Sequence, residues 1–216
     1  MRIPVCRVDL EGDLGVPRDA RGAVLFANGS GSGRLSPRNA YVAEALRGAG
    51  FATLLFDLLT PAEAADRGKV FDIGLLAARL AGATEWARGR AALRGLARGY
   101  FGASTGAAAA LLAAARDERI AAVVARGGRP DLADEALPVV RAPTLLIVGG
   151  DDDVVLELNR HACRRLRCTK RLALVPGATH LFEEPGALDQ VVRLAIDWFE
   201  LHLAADERRG EAGRVR

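Results

Sequence analysis

An α/β fold with a mostly parallel sheet is the class this sequence predicts, for three reasons. Apolar runs of strand length alternate with runs of helix length along the whole chain, the pattern that covers a parallel sheet with helices on both faces. No internal repeat and no Pro/Ser-rich linker interrupts that alternation. And Gly102-Ala103-Ser104-Thr105-Gly106 stands between the strand-like Leu96 to Phe101 and an Ala/Leu-rich helix, Ala107 to Ala115. A strand, a sharp turn and a helix around GxSxG form a nucleophile elbow, which lifts one serine hydroxyl to the edge of a sheet.

The elements follow in order. Ile3 to Val8 with a turn at Glu11-Gly12-Asp13 predicts a small antiparallel hairpin at one edge. Ala23 to Ala27 is a short buried strand, followed by the glycine-rich turn Asn28 to Gly33 and a helix from Pro37, a first-turn proline, to Gly48. Phe51 to Phe56 is the next strand. Phe71 to Gly89 is helical, with apolar Ile73, Leu76, Leu80 and Trp86. After the elbow come the strand Ile120 to Ala125, the β-branched-rich strand Thr144 to Val148, a helix over Val155 to Leu166, the strand Arg171 to Val175 and a helix from Pro185 to Leu203. A single domain is expected over 1–204, with a polar tail over 205–216. No long insertion is present to serve as a lid domain, so an open active site is expected.

Composition narrows the function classes. The 216 residues, 50% of them hydrophobic, suffice for one sizeable core. The net charge is +3, and Lys69 and Lys170 are the only lysines. The arginines are scattered among Asp and Glu, with no basic block or aromatic interleaving, which excludes a nucleic-acid footprint. Cys6, Cys163 and Cys168 are an odd count, neither a disulfide framework nor, with His161, a zinc spacing; no metal is expected, and buried or half-buried thiols suit a reducing compartment. The N-terminus has no apolar signal region and no run reaches membrane-span length, so a cytoplasmic location without membrane partners is expected. Nothing in the pattern fixes an oligomeric state.

A serine needs a base to take its proton, and that base needs an orienting acid. The chain has three histidines. His161 lies among arginines on a helix and reads as a surface residue; His202 is near the end of the last helix, where a cation suits the dipole. His180 lies in the loop Pro176-Gly177-Ala178-Thr179-His180, after the last strand, where catalytic side chains gather in open α/β sheets. It is the expected base. The acid belongs between serine and histidine in chain order, at Asp151, Asp152 or Asp153, with one of the three free to cap the following helix. An oxyanion hole is expected from the Thr105 N–H and an N–H of the Asn28–Gly33 turn. That turn with Asp57 also invites a dinucleotide reading, but it is GxGxG rather than GxGxxG, Arg34 to Pro37 delays the helix, and no P-loop is present; no cofactor is expected. Arg126 and Arg129, at a strand end bordering the elbow, are placed either to bind an anionic group or to pair with Asp131 or the 151–153 aspartates.

The segments LFANGSGSGRLSPRN, GYFGASTGAAAALLAAA, RGGRPDL, PTLLIVGGDDDVVLELNR and GATHLFEEPGAL resemble the α/β-hydrolase superfamily, and within it the dienelactone hydrolase-like branch, in particular a small bacterial group found alone or fused to a phosphoribosyltransferase domain. The likeness covers roughly residues 20 to 203. It implies an α/β-hydrolase fold, Ser104 as nucleophile, His180 as base, Asp152 as acid, and oxyanion donors at Ser30 and Thr105. The dienelactone hydrolases proper use a cysteine nucleophile, whereas this elbow carries serine. Many superfamily members have histidine before the glycine of the oxyanion loop; here it is Asn28, which with Arg126 is a candidate for substrate binding. The expected activity is hydrolysis of a small-molecule ester, thioester or lactone. A catalytically idle accessory module of nucleotide metabolism is the alternative, and a nucleotide-binding oxidoreductase a distant third.

Overall fold

A computed structural model describes residues 1–203; the expected polar tail at 205–216 lies outside the described residues. Eight strands form one sheet: β1 (Arg2–Val5), β2 (Val8–Gly15), β3 (Gly22–Ala27), β4 (Phe51–Phe56), β5 (Arg98–Ala103), β6 (Ile120–Arg126), β7 (Thr144–Gly149) and β8 (Lys170–Val175). Their spatial order is β1-β2-β4-β3-β5-β6-β7-β8. β2 pairs antiparallel with both β1 and β4; every pair from β4 to β8 is parallel. The helices are α1 (Pro37–Gly48), α2 (Pro61–Ala64), α3 (Arg67–Val70), α4 (Ile73–Arg88), α5 (Thr105–Arg116), α6 (Asp153–Arg165) and α7 (Ala187–Leu203).

Period-two alternation splits the core into two layers. Leu25, Tyr100, Val123 and Leu146 face the layer filled by α4 and α5. Phe26, Phe101, Val124 and Ile147 face α1 and α7 on the other side. The small side chains of α5 let it lie almost wholly buried against the sheet, from Thr105 through Ala110.

Three local expectations are corrected. The hairpin turns at Cys6-Arg7, both at positive φ (48° and 69°), because Val5 pairs with Val8 and leaves a two-residue loop. Glu11-Gly12-Asp13 instead lies inside β2, where pairing passes from β1 to β4. Cys6 is therefore exposed at the hairpin tip, whereas Cys163 and Cys168 are half-buried, and all three are free. Finally, the helix expected from Phe71 begins at Ile73, where Asp72 caps it by accepting from Leu75 N at 2.9 Å. It is preceded by the single turns α2 and α3.

Parallel register brings the carboxyl ends of the central strands together. Ala27 lies opposite Gly102, Ala103 opposite Arg126, and Gly149 opposite Val175. The loops carrying Asn28 to Gly33, Ser104, Asp152 and His180 thus emerge from one edge of the sheet.

Candidate active site

Ser104 sits at φ 50° and ψ −122°, a region that costs a non-glycine residue about 1–3 kcal/mol and persists only when the surroundings enforce it. Here Ser104 N donates to Arg126 O at 3.3 Å, and Ser104 O accepts from Arg129 N at 3.0 Å and Ala107 N at 3.1 Å. The elbow glycines are required by close approach. A Cβ on Gly106 would lie 2.0 Å from Ala27 O, and one on Gly29 would lie 2.8 Å from Ser104 Cβ. The β3 loop and the elbow therefore touch backbone to backbone.

His180 Nδ1 lies 2.7 Å from Asp152 Oδ2. A carboxylate only accepts, so the proton on that bond belongs to the imidazole and Nε2 is left with its lone pair. Asp152 has both jobs foreseen for separate aspartates: its Oδ1 accepts from Val155 N at 3.4 Å at the start of α6 while Oδ2 holds His180. Asp151 and Asp153 are exposed. The two loops are tied together where Asp151 N donates to Ala178 O at 3.0 Å. The His180 loop is further closed by Thr179, whose N–H and Oγ1 donate to Glu184 Oε1 at 3.1 and 2.6 Å. That hydroxyl bond holds the Glu184 carboxyl below its ordinary range. The His180 ring packs over the end of β6: a Cβ on Gly127 would lie 3.5 Å from His180 Cε1.

The other histidines are accounted for elsewhere. His161 pairs with Asp134 at 3.1 Å on the surface. His202 stands edge-on to Trp198, with centroids 4.4 Å apart. Burial lowers its pKa, so the packing that holds the ring works against the charge that the helix dipole would favour.

On the oxyanion side, Thr105 opens α5, where first-turn N–H groups have no intrahelical acceptor. The Ser30 N–H, expected to point at the same place, donates to Thr105 Oγ1 at 3.0 Å. Asn28 borders the cavity beside this loop, with its side-chain amide engaged: Nδ2 donates to Phe56 O at 2.9 Å and Oδ1 accepts from Asn39 Nδ2 at 2.6 Å. The buried amide braces β3, β4 and α1 around the loop. Asp57, the residue behind the dinucleotide reading, accepts from Arg34 N at 2.8 Å and ties the end of the glycine turn to the end of β4. A cavity of about 310 Å³ opens beside this loop, bounded by Thr105 and the segment that follows β4.

The two arginines separate. Arg129 forms a bidentate pair with Asp131, at 2.9 and 2.8 Å. Arg126 is 8% exposed, and its Nε and Nη1 are buried without a hydrogen-bond partner among the described residues. Burial pulls its guanidinium down to about 10, and nearby Arg38 pushes the same way. Sequence reasoning missed Asn159, which donates from Nδ2 to Gly128 O at 2.9 Å and pins the turn after Arg126; no local signal ties residues so far apart. Among the described residues, no three His, Cys, Asp or Glu side chains are grouped to hold a metal, and no helix is long and apolar enough to cross a membrane.

No family model matches the chain. It is 61% identical over 198 residues to a putative phosphoribosyl transferase of Mycobacterium tuberculosis, a match covering 91% of this chain and 44% of that one. The chain thus spans less than half the length of that relative, as a fused protein would give. A dienelactone hydrolase from Anabaena variabilis, solved by crystallography, superposes with a TM-score of 0.91 at 55% identity, covering 94% of this chain and 96% of the other. The ferulic acid-bound Est1E from Butyrivibrio proteoclasticus shares the fold, with a TM-score of 0.80 at 18% identity, covering 95% of this chain and 99% of that one. At 55% identity over nearly the full length of the Anabaena protein, with a TM-score of 0.91, this chain belongs to the dienelactone hydrolase family of α/β hydrolases.

Proposed function

We propose that the protein is a cytoplasmic serine hydrolase that cleaves a small ester, thioester or lactone through an acyl-enzyme on Ser104. The reading is carried by the 2.7 Å bond from His180 to Asp152, made beside a serine held in a strained elbow. Nε2 of His180 takes the Ser104 proton as Oγ attacks the carbonyl carbon; Asp152 keeps the other ring proton in place and stabilises the imidazolium. The tetrahedral oxyanion is received by the Thr105 N–H and by the Ser30 N–H, which turns from Thr105 Oγ1 to do so. As the carbonyl re-forms, the bond to the leaving group breaks and His180 protonates that group. Water then repeats the sequence and frees the acid and Ser104.

Arg126 has its place in the same reading. The residue after it, Gly127, packs against the His180 ring, and the buried Nε and Nη1 of Arg126 have no hydrogen-bond partner among the described residues. It is proposed to attract an anionic leaving group. An idle module gains nothing from a strained serine or an imidazole oriented by a carboxylate, so catalysis is preferred. Wild-type protein is expected to hydrolyse p-nitrophenyl butyrate, and Ser104→Ala to lose roughly 10⁴-fold or more of kcat. Full turnover in Ser104→Ala would overturn the proposal.

A further inference from the structure

The cavity beside the oxyanion loop has a chemistry distinct from the rest of the site. Its outer wall is Leu58, Leu59, Pro61, Ala64, Val70 and Leu76, and its inner wall is the 28–33 loop, with Ser30 and Ser32, and Thr105. Among the described residues, no lysine or arginine lines it. Its one carboxylate, Asp57, is already engaged by Arg34, through the backbone N–H at 2.8 Å and with Nε at 3.3 Å. A charged acyl group reaching the outer wall would be desolvated with no side-chain counter-ion among the described residues, whereas an apolar one would gain by leaving water.

The wall is anchored. Pro61 and Ala64 belong to α2, whose Thr60–Glu63 capping box fixes its first turn. Glu63 Oε1 accepts from Arg79 Nη2 at 2.9 Å, and Arg79 Nη1 donates to Val5 O at 2.9 Å. The two side chains are only 5% and 14% exposed. Removing either partner leaves a buried charge, so α2 is tied to α4 and to the β1–β2 hairpin.

None of the lining comes from the loop that carries His180. The leaving group departs beside the base that protonates it. A cavity that contains both oxyanion residues, Ser30 and Thr105, and nothing of the base loop receives the part of the substrate that stays on the serine. Resting on the Ser104 reading above, we propose that this cavity is an acyl pocket for an uncharged, apolar acyl chain. At about 30 Å³ per heavy atom, its volume of about 310 Å³ holds roughly ten heavy atoms, a chain of medium length.

The test is a series of p-nitrophenyl esters from acetate to tetradecanoate, with the p-nitrophenyl glutarate monoester as an anionic acyl probe, on wild type, Val70→Trp and Leu59→Ala. For wild type, kcat/KM is expected to rise about fourfold per methylene to an optimum between about six and ten carbons, with the glutarate monoester at least tenfold below pentanoate. Val70→Trp should cut the octanoate-to-acetate ratio at least tenfold, and Leu59→Ala should raise the dodecanoate-to-octanoate ratio. Leu59→Ala keeps the test open if the tryptophan variant does not fold. Acetate as best substrate, preference for the glutarate monoester, or ratios unmoved in the folded variants would overturn the acyl pocket. A fluorophosphonate adduct on Ser104 alongside such a result would leave the hydrolase reading standing; absence of that adduct would overturn both.

Discussion

The two sides of the Ser104 elbow are made of opposite materials. On the side of the β3 loop lies an apolar cavity whose only charge is already neutralised by Arg34. On the side of β6 and the His180 loop lies Arg126, a buried cation with two nitrogens that have no hydrogen-bond partner among the described residues and another arginine for a neighbour. The apolar side is what a hydrophobic core does when a short helical segment lines it. The charged side is costly: a buried unpaired charge is among the most destabilising features a core can hold. A fold that keeps such a charge next to its strained serine points to a ligand that pairs with it. The contrast is what the proposed division of the substrate rests on, an uncharged acyl chain on one side and an anionic leaving group on the other.

The largest expected effect cuts across both sides. Asp152→Asn should lower kcat by about 10²–10⁴-fold for neutral and anionic esters alike, because the tautomer and orientation of His180 serve every substrate. The same change at exposed Asp151 or Asp153 should cost little. A loss at Asp153→Asn exceeding that at Asp152→Asn, measured by steady-state kinetics, would contradict the assignment of the acid.

The next effect sharpens the contrast. Arg126→Met should lower kcat/KM for an ester with a carboxylate-bearing leaving group by roughly 10- to 150-fold, the cost of a charge-assisted hydrogen bond of about 1.5–3 kcal/mol. A neutral ester of equal size should be nearly unaffected. The same substitution should stabilise the fold by about 1–3 kcal/mol at pH 7, read by denaturant unfolding. Equal losses on both esters together with lower stability would make Arg126 a structural residue.

The smallest effect is a pH dependence. Burial holds Arg126 at about 10, so its charge is present below that pH and lost as pH rises through it. The ratio of kcat/KM for anionic over neutral leaving group should be level from pH 7 to 9 and fall above about 10. A ratio that rises with alkali would show that another group recognises the anion.

The elbow was legible because its signal is local: two glycines around a serine, a strand before and alanines after. Pro37 and the strands Phe51–Phe56 and Ile120–Arg126 were legible for the same reason. What escaped depends on contacts distant in sequence. Arg126 and Arg129 looked equivalent until Asp131 claimed one of them. The bracing of Asn28 rests on Phe56 and Asn39, which its own neighbours in sequence do not announce. The Cys6-Arg7 turn carries none of the Gly, Asn or Asp residues that announce positive φ, and α2 and α3 are too short to show a helical period. Three adjacent aspartates gave no spacing by which to choose, and the acid was selected by family resemblance; the geometry shows one residue capping α6 and holding His180 at once.

The central claim, that Ser104 is the covalent nucleophile, is tested most directly by treating the folded protein with a fluorophosphonate and mapping the adduct by peptide mass spectrometry. The account expects one stoichiometric adduct on the peptide containing Ser104, abolished in Ser104→Ala and strongly slowed in His180→Ala. An adduct on another residue, or none on the folded protein, would contradict it.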